Sequence, residues 1–173
     1  MKILLCFHIK LKQKAIFLDR DGIINYERKD YVKNLDEFKI YDGIIDAIKI
    51  LKNNNFLVII ITNQSAINRK LLSISTLNHI HENFQKFLKD NDTSIDAIYF
   101  CPHTPEDLCA CRKPKPGLLL SALNDFDIDL TNSFMIGDSL SDINAAKAIN
   151  CNWILLKNGK YLLSIVKNLV STN

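Results

Sequence analysis

Acidic and hydroxyl side chains follow several short apolar runs of this sequence. Asp19 and Asp21 come directly after the first of these runs, Thr62 ends the second, and Asp138 follows a later one. Carboxylates placed close together repel each other unless a cation lies between them, and Mg²⁺ prefers a few carboxylates together with water and phosphate oxygens. An isolated Asp-x-Asp is more often a solvated turn, but this combination of strand ends predicts a site for a hard cation.

A second group of reactive side chains lies in one short segment, CPHTPEDLCACRKPKPG, at residues 101–117. Cys101, His103, Cys109 and Cys111 form a Cys₃His set of the kind found in closed tetrahedral zinc sites. Because protein side chains would fill all four positions, none would stay open for water, which favours a structural zinc ion. A disulfide pair is the main alternative, and a redox role is a further one.

The composition is that of an ordinary globular protein. The 173 residues are 47% hydrophobic and 24% charged, with a formal net charge of +3. That length suits one domain, and the charge is too small to indicate a nucleic-acid partner. No apolar run has the length of a membrane span, and no signal-peptide cleavage site follows the first residues. Three of the five cysteines cluster, which fits a reducing compartment, so we expect a cytoplasmic protein.

The chemistry-bearing residues need a scaffold that brings distant parts of the chain together. Short β-branched runs alternate with segments whose apolar residues recur at helical spacing. The predicted strands are Ala15–Asp19, Phe56–Thr62, Ala97–Phe100, Ser133–Gly137 and Trp153–Leu156. The predicted helices are centred on residues 44–51, 77–88, 119–126, 143–149 and 162–169. Pro116 would open the third helix as its first residue, and Ser141 would cap the fourth.

Alternation of strands and helices predicts an α/β fold with a doubly wound, mainly parallel sheet and helices on both faces. Ligands of such sheets bind beyond the carboxyl ends of the strands, where the acidic residues stand. The two intervals Asp21–Thr62 and Asn63–Cys101 each hold only one helix, so neither can house a cap domain. We expect a single domain over residues 15–173, preceded by an extension or edge strand over residues 1–14.

Four motifs resemble, in order, those of the haloacid dehalogenase-type phosphohydrolases. They are FLDRDG, ITNQS, the lysine of CRKPKPG, and MIGDSLSD. The resemblance extends over nearly the whole chain and implies a Rossmann-like fold and hydrolysis of phosphate esters. Longer stretches, such as TNQSAINR and CPHTPEDLCACRKPKPGLLLSA, are similar to one branch of the family, the D-glycero-D-manno-heptose-1,7-bisphosphate 7-phosphatases, with the histidinol-phosphatases as close relatives.

The resemblance assigns catalytic roles to four residues. Asp19 is expected to attack phosphorus and form an aspartyl-phosphate, which splits hydrolysis into two easier steps. Asp21 would protonate the leaving oxygen and later take a proton from the attacking water. Thr62 would hold phosphoryl oxygens, and Lys113 would add positive charge beside them.

The resemblance also implies two metal ions. Mg²⁺ is expected on the Asp19 carboxylate, the Asp21 backbone carbonyl and the Asp138 carboxylate, with Asp142 as a support. Zn²⁺ is expected on the Cys₃His set of Cys101, His103, Cys109 and Cys111.

The family branch implies a small-molecule sugar phosphate as the partner, and we expect a monomeric enzyme. The expected substrate is a heptose bisphosphate, which would lose its C7 phosphate on the way to nucleotide-heptose. Histidinol phosphate or another small sugar phosphate is the alternative, because Ser139 stands where heptose enzymes often carry lysine and because the cysteine loop is as short as in histidinol-phosphatases. The expected substrate-binding residues are Asn25, Tyr31, Thr62, Asn63, Gln64, Ser65, Arg112, Lys113 and Ser139.

Overall fold

Five parallel strands form one sheet in the computed structural model, which describes residues 12–171. The strands are β1 (Ala15–Leu18), β2 (Leu57–Asn63), β3 (Ala97–Cys101), β4 (Phe134–Gly137) and β5 (Asn152–Leu155). The α-helices of the described residues are α1 (Ile44–Asn53), α2 (Ile74–Asp90), α3 (Gly117–Asp125), α4 (Leu140–Lys147) and α5 (Leu162–Ser171). Short 3-10 turns lie at Leu35–Glu37, Pro105–Asp107, Leu130–Asn132 and Gly159–Tyr161.

The strand order β3-β2-β1-β4-β5 places β1 at the centre of the sheet. Leu18, the last residue of β1, lies opposite Ile60 on one side and Ile136 on the other. The chain builds outward from β1 in one direction and then returns to build outward in the other. The strand order therefore reverses beside β1, and a crevice at the carboxyl edge is expected at such a point.

The three inner strands β1, β2 and β4 are buried on both faces, as their continuous hydrophobic runs predict, whereas the edge strand β5 is largely exposed. Side chains of a strand alternate between the two faces, so Leu18 and Ile60 pack in one cluster with α1 and α5. Phe17 and Ile59 pack in the other cluster, with α3 and α4. All four of these side chains are fully buried. The prediction of a doubly wound parallel sheet is confirmed, and no cap domain interrupts residues 12–171.

Two predicted helix starts are wrong in detail. Ser139, rather than Ser141, is the N-cap of α4, where it forms a reciprocal capping box with Asp142. Pro116 is the N-cap of α3, and Gly117 is the first helical residue. Asp142, at the third helical position, explains the α4 start, because its carboxylate accepts from both the N–H and the hydroxyl of Ser139.

The predicted extension over residues 1–14 lies largely outside the described residues. Its last part runs beside the sheet, where Gln13 forms an isolated parallel bridge to Ile128. Among the helices of the described chain, none is both long enough and apolar enough to cross a membrane.

Candidate active site

A cavity of about 360 Å³ opens at the carboxyl edge of the sheet, beyond β1, β2 and β4. Strand-end residues and one loop that follows β1 form its walls. Its lining residues include Asp19, Asp21, Thr62, Asn63, Gln64, Lys113, Asp138 and Ser139. The parallel topology therefore brings together acids and hydroxyls that are far apart along the chain.

Lys113 is a buried cation at this cavity, beside Asp19. Its side-chain nitrogen Nζ donates to Asp19 Oδ1 at 2.8 Å and to the carbonyl of Ile61 at 2.7 Å, and it also contacts the Asp142 carboxylate. The Lys113 residue is only 3% exposed. An ammonium group can be buried this deeply because two carboxylates and a carbonyl replace the water it has lost.

Asn63 holds the loop that carries Lys113 (residues 112–116, the lysine loop) against the end of β2. Its amide accepts a hydrogen bond from the Lys113 N–H and donates one to the Lys113 carbonyl, both at 3.1 Å. Asn63 pairs with Cys101 in the β2–β3 register, so the same strand end neighbours the start of the cysteine segment. These two hydrogen bonds, from the Asn63 side chain to the Lys113 main chain, therefore set the position of Lys113 over Asp19.

Two glycines let the strand ends approach each other. A side chain on Gly22, which has φ of +84°, would bring a Cβ within 2.1 Å of Asp138 Oδ2. A Cβ on Gly137 would lie 2.3 Å from the Asp142 Cβ. Only glycine leaves room for Asp138 to stand beside the loop that carries Asp19 and Asp21.

Asp142 is fully buried and joins the α4 cap to Lys113. Its Oδ2 accepts from the Ser139 N–H at 3.0 Å and from the Ser139 hydroxyl at 2.6 Å. Its Oδ1 contacts Lys113. This carboxylate therefore orients the lysine rather than facing the cavity, which fits the supporting role expected for it.

Asp21 is held by three side chains. Arg20 Nη2 donates to both Asp21 oxygens, at 3.0 and 2.9 Å, while Asn25 and Gln64 each donate at 2.8 Å. Burial by itself would raise the pKa of Asp21, but the Arg20 charge and these hydrogen bonds together lower it. Gln64 also donates to Thr62 Oγ1 at 2.9 Å, which links the ends of β1 and β2.

The other two strand-end acids are shifted in the opposite direction. Burial raises the pKa of Asp19 to about 7, although the nearby Lys113 charge lowers it, and Asp142 adds repulsion. Burial also raises the pKa of Asp138 to about 6, again with repulsion from Asp142. Asp19, Asp138 and Asp142 offer ligand atoms within 4.8 Å of one another. The cluster therefore has more negative charge than Lys113 alone balances.

The structure brings most of the predicted substrate-binding residues to the cavity, but not all of them. Asn25 and Ser65 are buried and do not line it; Asn25 instead donates to Asp21. Arg112 donates to the carbonyl of His103 at 3.0 Å and lies over the cysteine segment. The role of these three residues in substrate binding stays a prediction.

Glu27, Arg28 and Lys29 line the cavity mouth, and they lie between Asn25 and Tyr31, in the segment expected to contribute to substrate specificity. Two other residues near the site were missed by sequence reasoning. Arg20, which stands between the two aspartates of the DRDG motif, is 1% exposed and clamps Asp21. His81 is buried against Arg20 rather than being only a packing residue. Arg20 could have been found, because it is a charged residue inside a motif at a predicted strand end. No feature of the sequence pointed to His81.

The cysteine segment folds into a compact cluster beside β3. Cys101 Sγ lies 3.6 Å from Cys109 Sγ and 3.2 Å from Cys111 Sγ, and His103 Nδ1 lies 3.3 Å from Cys111 Sγ. All four ligand atoms lie within 4.8 Å of one another. The described cysteines, including the buried Cys151, are free thiols, so the disulfide alternative is not formed.

A capless parallel sheet with an Asp-x-Asp at the central strand and a buried lysine over it defines a haloacid dehalogenase-like hydrolase. The family model described as HAD-hydrolase-like matches residues 110–170. Among curated proteins, the D-glycero-beta-D-manno-heptose-1,7-bisphosphate 7-phosphatase of Escherichia coli K12 is 41% identical over 162 residues, which cover 89% of this chain and 84% of that protein.

The protein of the same name from Neisseria meningitidis serogroup A is 38% identical over 147 residues, with 85% of this chain and 79% of the relative covered. A crystal structure of D,D-heptose 1,7-bisphosphate phosphatase from B. bronchiseptica, complexed with magnesium and phosphate, superposes with a TM-score of 0.88 at 34% identity and covers 93% of this chain and 100% of that one. The chain belongs to the family of these heptose bisphosphate phosphatases, within the haloacid dehalogenase-like hydrolases.

The buried contact between Asp142 and Lys113 predicts a stability effect. Asp142→Asn removes a charge from a fully buried pair and leaves the lysine short of one partner, so we expect the free energy of unfolding to fall by about 3 kcal/mol. Urea denaturation measures it, and Asp36→Asn on the surface is the matched control with little change expected. A loss no greater than in that control would contradict the structural role of the pair.

Proposed function

We propose that the protein is a Mg²⁺-dependent phosphatase that removes the C7 phosphate of D-glycero-D-manno-heptose 1,7-bisphosphate through an aspartyl-phosphate on Asp19. The observation that carries this proposal is the buried Asp19–Lys113 contact at the floor of an open cavity. The family relatives named above support the substrate, since they carry that activity in their names.

The first chemical step forms a bond between an Asp19 oxygen and phosphorus while the bond from phosphorus to the sugar oxygen breaks. Lys113 binds Asp19 Oδ1 and keeps positive charge next to the transferring phosphoryl group. Asp21 gives its proton to the departing sugar oxygen. In the second step a water oxygen attacks the phosphoryl group, Asp21 takes the proton, and Asp19 is released with inorganic phosphate.

The acid cluster fits a magnesium ion. Burial raises the pKa values of both Asp19 and Asp138, so a divalent cation between them would keep them ionised. Asp19, Asp138 and the backbone carbonyl of Asp21 would hold the ion, while Asp142 is already taken by Ser139 and Lys113. When bound, magnesium would screen the nucleophile from the phosphate and stabilise charge on the transferring group.

The phosphoryl oxygens would be held at the ends of β2 and β4. Thr62 stands at the cavity with its hydroxyl accepting from Gln64, so the Thr62 hydroxyl hydrogen remains available to donate. The Asn63 amide has a second hydrogen to donate, and the Ser139 hydroxyl, which donates to Asp142 in this structure, is the candidate donor at the end of β4. These are the interactions proposed to orient the C7 phosphate in line with Asp19.

Charges at the cavity mouth distinguish the two candidate substrates. Lys29 lines the mouth and makes no hydrogen bond or ion pair with any residue in the described part of the chain, so its ammonium is open to a second phosphate. Arg28 beside it is engaged with Asp30 and Glu37. Glu27 is the observation that favours histidinol phosphate, since that substrate carries an amine. Because a second phosphate would pair with the ammonium of Lys29, we favour the bisphosphate over histidinol phosphate.

The Cys₃His cluster is proposed to hold a structural zinc ion. Zn–S bonds of about 2.3 Å in a tetrahedron imply about 3.8 Å between sulfurs. The described sulfurs lie 3.2–3.6 Å apart, close to that spacing, so the ligands need only a small outward shift. Zinc would fix the segment that ends at Cys111, two residues before Lys113.

We also propose that the enzyme acts as a monomer in the cytoplasm on a small-molecule substrate, without a nucleic-acid partner. A reducing compartment keeps the thiols free for zinc. A single site assembled from one chain supports the monomer.

A panel of substrates tests the proposed activity. With Mg²⁺ present, we expect phosphate release to be fastest from a heptose 1,7-bisphosphate, slower from fructose bisphosphate and slowest from histidinol phosphate. Asp19→Asn is the control, because an amide cannot form the aspartyl-phosphate, and it should abolish turnover while circular dichroism stays unchanged. Preference for histidinol phosphate would overturn the heptose assignment, and turnover by the variant would overturn the nucleophile.

The cavity mouth predicts a selective effect on bisphosphates. Lys29→Gln should raise KM for the heptose bisphosphate about fivefold, because an exposed ion pair contributes roughly 1 kcal/mol, and should leave the KM of monophosphates unchanged. Lys86→Gln, on the exposed face of α2, changes the net charge equally and is the matched control. Equal effects on mono- and bisphosphates would argue against a second-phosphate contact.

The cysteine cluster predicts one zinc ion per chain. Elemental analysis of the purified protein should find it, and Cys109→Ser should release it and lower the melting temperature, since metal binding contributes directly to folding. Cys151→Ser, which alters a buried thiol outside the cluster, is the control and should keep the zinc. Full zinc content in Cys109→Ser would exclude this ligand set.

A further inference from the structure

His81 contacts the residue that clamps the proposed general acid. It lies on α2, is 7% exposed, and its Nε2 is 3.2 Å from Arg20 Nη1. The neighbouring nitrogen of the same guanidinium, Nη2, binds both carboxylate oxygens of Asp21. A chain of contacts therefore runs from α2 through Arg20 to Asp21, and the proposed mechanism uses only its last member.

The contact has a defined direction. An arginine side chain has only donors, so His81 Nε2 must accept from Arg20 Nη1 and the ring must be neutral. Burial, together with repulsion from Arg20, lowers the pKa of His81 to about 3. The ring therefore stays neutral at ordinary pH and keeps its acceptor facing the arginine.

His81 limits how the guanidinium can turn. Arg20 Nε has no hydrogen-bond partner within residues 12–171, and the Phe38 ring, 5.7 Å from the guanidinium carbon, offers only its face. Because the guanidinium is planar, a hydrogen bond at Nη1 also sets the direction of Nη2. Asn25 and Gln64 hold one Asp21 oxygen each, whereas Arg20 alone spans both.

We propose that His81 is a positioning residue for proton transfer: it fixes the plane of the Arg20 guanidinium, which aims the Asp21 carboxyl at the leaving oxygen. This inference rests on the proposed function, in which Asp21 protonates that oxygen. A small displacement of a positioned acid lowers the rate of the step it assists. His81 does not touch the substrate, so its loss should act on kcat and leave KM unchanged.

The leaving group separates a positioning role from a structural one. A sugar hydroxyl leaves poorly as an anion and depends on protonation by Asp21. The nitrophenolate of p-nitrophenyl phosphate is a stable anion and leaves without that proton. The second step, in which Asp21 acts as a base, is common to both esters, so the comparison uses kcat/KM, which reports the steps up to departure of the leaving group. A misplaced Asp21 should lower kcat/KM for the sugar phosphate and spare that for the nitrophenyl ester, whereas general damage to the site would lower both.

Two amide variants of His81 provide the matched pair. In His81→Gln the side-chain oxygen reaches about as far as Nε2 did, so it can accept from Arg20; in His81→Asn the amide is one methylene shorter and cannot. With Mg²⁺ present, His81→Asn should lower kcat/KM for the heptose bisphosphate about tenfold, a fraction of the full acid contribution, and change kcat/KM for p-nitrophenyl phosphate less than about twofold. His81→Gln should stay within about threefold of the unaltered enzyme on both substrates.

His79→Asn is the control for the helix, because His79 is exposed on α2 two residues earlier. It should leave both substrates unaffected. Equal losses on the two substrates, or equal behaviour of the Gln and Asn variants, would overturn the positioning role while leaving the phosphatase assignment intact. An unaltered enzyme that releases phosphate from neither substrate would instead overturn the proposed function. Melting temperatures of the variants identify any that fail to fold, and His81→Gln then carries the comparison.

Discussion

The buried ammonium of Lys113 is the interaction on which the rest of the site depends. It touches Asp19 from β1, Asp142 from α4 and the carbonyl of Ile61 in β2. A charge at this depth is tolerated only when it is paired and hydrogen-bonded. Each of those elements must therefore reach the same point, which ties the sheet, the α4 helix and the lysine loop to one geometry.

The need to hold Lys113 in place also explains why the thiols lie beside the acid cluster and not within it. The lysine loop has few apolar residues of its own, and its position comes from the two hydrogen bonds of Asn63 and from the Cys₃His cluster that precedes it. A short polar segment cannot build a hydrophobic core, and the proposed zinc ion would take its place. The Cys₃His cluster and the acid site would thus both help to hold Lys113 in position.

Asp19 and Asp21 occupy neighbouring positions but different environments. Asp19 is crowded by other carboxylates and its pKa is raised by burial, whereas Asp21 is surrounded by donors and its pKa is lowered. The raised pKa of Asp19 fits the proposed nucleophile, whose charged form needs a cation beside it, and the donors around Asp21 fix the direction of its carboxyl group. Arg20 makes the direct contact with Asp21, and the positioning role proposed for His81 acts through Arg20.

The sequence by itself determined the alternation of strands and helices, the strand-end acids and the metal-ligand spacing, because apolar periodicity and motif residues are local properties. Asp19, Thr62 and Asp138 could be predicted to meet because they follow parallel strands, whereas Lys113 was placed with them by the resemblance of its motif to the family. Only the tertiary structure decided which side chains face the cavity. Arg112 turns toward His103, Lys29 comes to the cavity mouth, and a histidine on α2 packs behind the acid, since these depend on how loops and helices cross over the sheet. Ser139 rather than Ser141 caps α4 because Asp142, which the buried lysine holds, completes the cap.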